Sequence, residues 1–329
     1  MPSADSFQRR PKALQKRLSK GSGYLTLLLL WGMILFSLQN PALSAKTVTD
    51  ALKLCVGRVI PVLFPIAVAG GLLTSVSAVP RLLSGFWGRL LRLSAPSVGV
   101  VLISLVSGFP IGAMLASRLL ESGRIDREEA SRLASYTNNA SGAFLTGCVG
   151  AAYFKDPRVG WILWIASSGA ALTVGIRMGM RAVRSEHSSL LEQGETTPVS
   201  PVDSVKATAL GMLHLTAFVT FFAVFCAFLN QSLLALLPKG RGTQTLCAAV
   251  IAFFEITGGL SAIATLPLHL LLRVGLAGLA IGFGGVSVIM QCIAAGKAVE
   301  GKRLLGARIR IGLLSAIYSI LLTAIYVLS

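Results

Sequence analysis

Two apolar stretches decide the fold of this chain: residues 98–120 (VGVVLISLVSGFPIGAMLASRLL) and residues 245–266 (TLCAAVIAFFEITGGLSAIATL). Each is interrupted near its middle, the first at residues 107–110 (SGFP) and the second at residues 255–259 (EITGG). Because such breaks interrupt helices, each stretch divides into two arms of about ten residues, half of the roughly 20 that cross a bilayer. We therefore predict two re-entrant helical hairpins, each returning to the side from which it entered.

The composition of the whole chain is that of an integral membrane protein. Of 329 residues, 54% are hydrophobic and 13% are charged, and the mean hydropathy is +0.74. A soluble surface cannot cover this much apolar side chain, so a bilayer has to act as the solvent. The net charge of +17 lies mostly in short loops between apolar stretches. This is the positive-inside pattern rather than a nucleic-acid footprint, although anionic lipid and a phosphate-bearing ligand remain open alternatives.

The remaining apolar stretches predict about seven transmembrane helices. They cover roughly residues 23–40, 59–79, 137–154, 159–180, 208–237, 268–295 and 309–328. Two basic loops would lie outside the cell if the hairpins were full spans; they contain Arg124, Arg127 and Arg132, and Lys297, Lys302, Arg303, Arg308 and Arg310. With re-entrant hairpins both loops are cytoplasmic. The prediction is an all-α membrane protein with a cytoplasmic N-terminus and an external C-terminus.

The chain divides into five segments at the sequence level. They are a basic cytoplasmic N-terminus (1–22), a transmembrane anchor helix (23–40), a first repeat (47–183), a cytoplasmic linker (184–206) and a second repeat (207–329). A cleaved signal peptide is the alternative for the anchor, because Ala42 and Ser44 follow it in a small-x-small pattern. Residues 47–58 mix charged and apolar positions, which predicts a helix at the membrane interface.

The two repeats share one order of elements: interfacial segment, span, hairpin, broken span, span. Because the first hairpin opens to the cytoplasm and the second to the outside, the repeats are predicted to be inverted. Inverted repeats with discontinuous helices are typical of secondary transporters. Accidental similarity is the alternative, because glycine and proline are common in membrane helices.

Glu255 is the carboxylate predicted to lie deep within an apolar run. An ionisable side chain inside the membrane indicates function, because burying it without a partner is costly. At a hydrated hairpin tip it would bind a cation, take up a proton or accept a hydrogen bond from a polar solute. A structural acid paired with a donor is the alternative.

Two further segments carry polar or flexible residues where an apolar helix is broken. Residues 136–142 (YTNNASG) place adjacent amides where lipid cannot solvate them, so they should line protein or water. Residues 281–287 (IGFGGVS) supply glycines that let the backbone expose carbonyl groups to a ligand, and Gln291 follows one turn later. Helix capping is the alternative for the first segment, and close helix packing is the alternative for the second.

These segments together predict a substrate-binding site near the bilayer midplane. Its candidate residues are Ser107, Gly108, Pro110, Thr137, Asn138, Asn139, Glu255, Thr257, Gly258, Gly284, Ser287 and Gln291. No nucleophile with a base and no pair of catalytic carboxylates is recognisable, so an enzyme is not predicted. We predict no cofactor, whereas a metal ligand set and a coupling ion, sodium or proton, stay undetermined.

Five motifs in order resemble the nucleoside-recognition (Gate) domain family, and within it the branch of sporulation integral membrane proteins of the YlbJ type. They are SGFPIGA (107–113), ESGRI (121–125), TNN (137–139), FEITGG (254–259) and IGFGGVS (281–287). The resemblance spans roughly residues 47–328. It implies a multi-pass protein of the bacterial inner membrane, related to the gates of nucleoside transporters and ferrous iron permeases and connected with spore formation.

The predicted function is that of a Gate-type permease that binds or moves a small polar solute at the membrane midplane. The alternative is a non-transporting scaffold or gate subunit required for spore development. Expected partners are membrane lipid, the solute, and further copies of the chain or other membrane proteins.

Overall fold

The computed structural model describes residues 20–75, 81–182 and 200–328. Of these residues 86% are helical, and no strand occurs among them. The prediction of an all-helical protein is therefore confirmed. The predicted N-terminal segment 1–22 and linker 184–206 lie mostly outside the described residues.

The helices follow one another with few long connections. They are α1 (Lys20–Gln39), α2 (Pro41–Leu54), the π-helix π1 (Cys55–Val59), α3 (Ile60–Ser75), α4 (Arg81–Leu91), α5 (Ala95–Ser107), α6 (Ile111–Glu121), α7 (Arg127–Tyr136), the π-helix π2 (Phe144–Phe154), α8 (Pro157–Arg181), α9 (Pro201–Leu236), α10 (Arg241–Phe254), α11 (Ile256–Ala264), α12 (Leu270–Phe283), α13 (Gly285–Ala294) and α14 (Gly301–Leu328).

Four helical segments of the described chain are long and apolar enough to cross a membrane: α8, α9, the α12–α13 pair and α14. The number rises to six if two sharply bent pairs each count as one span. The pairs are Leu27–Gln39 with Pro41–Gly57, bent by 105°, and Ser84–Leu91 with Ala95–Ser107, bent by 93°. The predicted total of seven spans is not confirmed, because the apolar helices Leu63–Leu72 and Phe144–Phe154 are short.

The segment predicted to lie separately at the interface, residues 47–58, is instead part of a longer helix. α2, π1 and α3 follow one another without a break from Pro41 to Ser75. The sharp bend falls earlier, at Asn40 ahead of Pro41. The charged positions of residues 47–58 do not interrupt backbone hydrogen bonding, whereas a proline removes a donor and favours a helix start.

Both predicted hairpins have two helical arms that meet at the predicted breaks. α5 ends at Ser107 and α6 begins at Ile111, while α10 ends at Phe254 and α11 begins at Ile256. In the second hairpin the arms touch so closely that a Cβ on Gly259 would lie 2.2 Å from the Ala252 Cα.

The order of elements is the same in the two halves of the described chain. A long helix (α2–π1–α3 or α9) precedes a hairpin (α5–α6 or α10–α11). A broken helix follows (α7 with π2, or α12 with α13), and a final long helix closes each half (α8 or α14). α1 and α4 occur in the first half alone among the described residues.

Contacts along α8 and α14 define the two ends of the molecule. Tyr136 packs on Gly175 and Leu145 packs on Gly160, so the chain from α7 to π2 runs antiparallel along α8. α14 begins near Arg303, which donates from Nη1 to Glu128 Oε2 over 2.8 Å. It ends near Tyr326, whose hydroxyl donates to Asp156 Oδ2 over 2.8 Å. We name these the Glu128 end and the Asp156 end.

The two hairpins have their open ends at opposite ends of the molecule. At the Glu128 end, the Ser94 amide ahead of α5 donates to Glu129 Oε1 over 2.8 Å. At the Asp156 end, Arg273 Nη1 donates to the Ala264 carbonyl that ends α11, over 2.6 Å. The Arg273 guanidinium also stacks over the Phe154 ring, 5.8 Å from its centroid, next to Asp156.

Candidate functional site

A cavity of about 680 Å³ lies where the two hairpin tips approach each other. Its wall combines both tips, the polar break before π2, the start of α13 and parts of α2, π1, α3 and α9. The lining residues with polar or titratable side chains are Ser141, Cys148, Glu255, Thr257, Ser287 and Gln291. Most of the remaining wall is apolar, including Phe109 and Phe144.

The first hairpin tip is shaped by Gly108, whose φ of +93° is strained for any other residue. A Cβ at this position would also lie 3.1 Å from both the Cβ and the backbone nitrogen of Ser141. The tip can therefore rest directly against the break that precedes π2. Gly108, Phe109 and Ser141 together form one side of the cavity.

The amide cluster behind this tip is fully engaged in holding helices. Asn138 Oδ1 accepts from the Ala113 amide over 2.9 Å, and Asn138 Nδ2 donates to the Ala134 carbonyl over 2.6 Å. Asn138 thus satisfies a free amide in the first turn of α6 while it closes the end of α7. Thr137 Oγ1 donates to Leu133 and Asn139 Nδ2 to Tyr136, so both also cap α7.

Glu255 forms the second tip and is 6% exposed. Its Oε1 accepts from the Thr257 amide over 2.7 Å and its Oε2 from the Gly258 amide over 2.6 Å. The carboxylate therefore caps α11 at the positive end of that helix dipole. It still lines the cavity, together with Thr257.

The break between α12 and α13 leads into the segment that places Ser287 and Gln291 in the cavity wall. Gly284 and Gly285 have φ values of +87° and +75°, which redirect the chain into α13. Gln291 Nε2 donates to Ser287 Oγ over 3.1 Å. Gln291 Oε1 is buried and has no hydrogen-bond partner among the described residues, so it is an acceptor ready for a ligand donor.

The structure brings together five of the twelve residues predicted for the site. Gly108, Glu255, Thr257, Ser287 and Gln291 line the cavity. The other seven are not in its wall: Ser107, Pro110, Thr137, Asn138, Asn139, Gly258 and Gly284. Ser107 Oγ donates to the Ile103 carbonyl within α5 over 2.9 Å, which satisfies it locally.

Sequence reasoning missed the contribution of α2, π1 and α3 to the cavity. Leu54, Gly57, Pro61 and Leu63 line it, and none of these four carries a polar side chain that would have marked it as a binding residue. It also missed Phe109, which stands within the first break.

Arg308 lies elsewhere than the sequence indicated. It was predicted in a basic loop, but it belongs to α14 and is 1% exposed. Its Nε donates to the Phe283 carbonyl over 3.1 Å, while Nη1 and Nη2 have no partner among the described residues. A cation at the C-terminal end of α12 is favoured by the helix dipole, so Arg308 stabilises the break in this helix.

The side chains of the site can donate and accept hydrogen bonds within an apolar wall. Among the described residues no group of three histidine, cysteine or acidic side chains is placed to hold a metal ion. The five cysteines are free and buried. The cavity offers one carboxylate, an unpaired amide oxygen and three hydroxyl groups in an apolar wall.

The chain is similar to the sporulation integral membrane protein YlbJ of Bacillus subtilis (strain 168). The two are 27% identical over 325 residues, which cover 87% of this chain and 79% of the relative. This similarity and the apolar helices confirm the prediction of an integral membrane protein and support the YlbJ type. No family model matches the chain, and no solved structure matches it. The Gate-domain resemblance stays a prediction.

Proposed function

We propose that the protein is a multi-pass permease that binds a small polar solute in the cavity between its hairpin tips. One observation carries this proposal: both hairpin tips, the break before π2 and the start of α13 contribute to the same cavity wall. Discontinuous helices that meet at a central site are the way in which secondary transporters expose polar backbone and side-chain groups to a solute.

The size and lining of the cavity favour an organic solute over a bare ion. Small-molecule sites enclose about 300–1,000 Å³ and combine an apolar wall with a few placed polar groups. The volume of about 680 Å³ and the polar set of Ser141, Glu255, Thr257, Ser287 and Gln291 fit this description. Gln291 Oε1 would accept a hydrogen bond from the solute.

We place the Glu128 end in the cytoplasm and treat the two halves as inverted repeats with seven spans. Three observations support the orientation and the inverted repeats. Both basic loops lie at the Glu128 end, where Arg127 and Lys297 pair with acids of the other half. The hairpins open at opposite ends. The halves share one order of elements. Basic loops favour the cytoplasmic side of the inner membrane.

We also propose that the protein is associated with spore formation, because the relative that it resembles is a sporulation integral membrane protein. A second function, a membrane scaffold without transport, is favoured by one observation. Both oxygens of Glu255 are already occupied by backbone amides, so this carboxylate has a structural use that needs no solute.

The experiment that tests solute binding is a thermal-shift screen of the detergent-solubilised protein against nucleosides, amino acids, carboxylic acids and simple cations. A bound solute raises the apparent melting temperature by mass action. Gln291→Leu should abolish the shift, because it removes the unpaired acceptor in the wall. Gln231→Leu is the matched control, because Gln231 is exposed on α9 and lies far along that helix from the residues that line the cavity.

The permease and scaffold functions separate in a complementation experiment. The chain is expressed in Bacillus subtilis that lacks YlbJ, and spore yield is counted. A permease requires the cavity, so Gln291→Leu should lose complementation while Gln231→Leu keeps it. A scaffold would complement equally well with either variant.

A further inference from the structure

Three ion pairs join the two halves of the chain at the Glu128 end. Lys297 Nζ lies 3.6 Å from Glu121 Oε1, and Arg127 Nε lies 3.9 Å from Glu300 Oε1. Arg303 donates with both terminal nitrogens to the Glu128 carboxylate. We call these six side chains the ionic latch. Arg303 also holds the pKa of Glu128 below its ordinary value through these hydrogen bonds, so the pair is charged at neutral pH.

The latch connects the helix that begins at the first hairpin tip with the helix that carries two polar residues of the cavity wall. Its first half, residues 121–128, follows α6, which begins at the first hairpin tip. Its second half, residues 297–303, follows α13, which carries Ser287 and Gln291. A separation of the two segments would therefore move α6 away from α13.

Between the latch and the cavity the two halves are in direct contact. Ser117 Oγ on α6 accepts from the Ala298 amide over 3.2 Å. A Cβ on Gly296 would lie only 2.4 Å from the same oxygen. The backbone after α13 is thus pressed against α6 on the Glu128 side of the first hairpin tip.

Toward the opposite end the cavity wall continues. Its lining follows π2 from Phe144 to Ala152, in the direction of Asp156. The cavity lining thus extends toward the Asp156 end, whereas the contact of Ser117 with Ala298 lies toward the Glu128 end.

We propose that the ionic latch is the gate of the cavity at the Glu128 end, and that its opening exposes the cavity to that side of the membrane. This inference rests on the proposed function as a permease. Breaking the pairs frees α6 and α13 to part at Ser117 and Ala298. The Arg127 and Lys297 pairs are exposed, whereas the Arg303 side chain is partly buried. Exposed pairs are individually weak, which suits a contact that has to open and close.

The test uses Cys148, a native cysteine in the cavity wall. The protein is reconstituted in two vesicle preparations of opposite orientation, and a membrane-impermeant maleimide is added outside. Labelling of Cys148 is then located by peptide mass spectrometry. In the wild type we expect slow labelling from the Glu128 end. Glu128→Arg should raise that rate about two- to fivefold, the range that loss of one exposed pair allows. Arg303→Glu combined with Glu128→Arg should restore it.

Two controls keep the result interpretable. Asp156→Asn removes an acid that pairs with Arg158 at the other end, so it should leave labelling from the Glu128 end unchanged. If Glu128→Arg does not fold, a salt series on the wild type replaces it, because salt weakens exposed pairs and should raise the same rate.

The proposal is overturned if labelling from the Glu128 end is the same in wild type, Glu128→Arg and high salt, or if Asp156→Asn has an equal effect. Failure of the proposed function has a different signature. In that case the latch substitutions change labelling as expected, but none of the nucleosides, amino acids, carboxylic acids or cations tested protects Cys148 in any variant.

Discussion

At the residue scale, polar side chains that cap half-helices hold the two hairpin tips in place. Asn138, just beyond the end of α7, caps α6, and Glu255 caps α11 from the N-cap position directly before that helix. The tips are broken helices inside a membrane protein, where an unpaired amide has no water to bind. Both side chains therefore have a structural use as helix caps, and Glu255 in addition lines the cavity.

This account predicts that Glu255→Ala lowers the stability of the protein by about 0.5–2 kcal/mol, the ordinary cost of losing a helix N-cap. Glu255→Gln should lose less, because the amide oxygen still accepts one backbone hydrogen bond. The measurement is the unfolding midpoint in detergent. Asp50→Ala is the control, because Asp50 is exposed on α2. Equal midpoints for Glu255→Ala and the control would show that the cap is not needed.

At the scale of elements, α12 packs closely against α14 in the second half. A Cβ on Gly282 would lie 2.7 Å from the Gly312 Cα and 2.7 Å from the Ile311 carbonyl oxygen. These are backbone atoms, which cannot move aside as a flexible side chain would. Small residues of this kind let membrane helices approach closely, and here they position the helix that leads into the Gly284 break.

Gly282→Ala should therefore destabilise the protein by more than 1 kcal/mol, the lower limit for overpacking a close contact. Gly306→Ala in α14 is the matched control, because a Cβ there would meet no atom within 4 Å. The control should be neutral or slightly stabilising, since alanine favours a helix interior over glycine. Melting curves of both variants in detergent provide the comparison, and a stable Gly282→Ala protein would contradict the close packing of α12 and α14.

The sequence was informative about where the helices break and less so about which way side chains point. Gly108 and Pro110, and Glu255 ahead of two glycines, indicated the tips because glycine and proline interrupt backbone hydrogen bonding. Asn138 and Asn139 were expected to line the site, yet they bond to helix ends nearby. They cap the end of α7, and Asn138 also caps the start of α6, rather than the first turn of the helix that follows them. A local amide geometry of this kind depends on tertiary contacts that periodicity does not encode.

Arg308 is a second residue whose environment the sequence did not indicate. Its basic neighbours in sequence, Arg303 and Arg310, led to its assignment to a basic loop. The charge of a stretch of sequence does not indicate how deep in the membrane each of its residues lies. Its burial follows from the position of the Phe283 carbonyl, which becomes a free acceptor only because α12 ends there. The end of α12 thus explains why a charged side chain of α14 is buried.

At the scale of the whole molecule, the opposite placement of the two hairpins predicts the topology. Ser122 lies at the Glu128 end, and Lys239 lies in the loop that leads into the second hairpin. In intact cells an impermeant thiol reagent should label Lys239→Cys but not Ser122→Cys. Permeabilised cells should label both, which is the control for reactivity. Labelling of Ser122→Cys in intact cells would invert the proposed orientation.

The central claim is that the hairpin tips enclose a site for a small polar solute. The most direct test is the labelling rate of Cys148 in detergent, with and without each compound that raises the melting temperature in the screen. The account predicts that a bound compound slows labelling of Cys148 in the wild type and in Gln231→Leu but not in Gln291→Leu. A compound that stabilises the protein while Cys148 reacts at an unchanged rate would place its binding site elsewhere and contradict the claim.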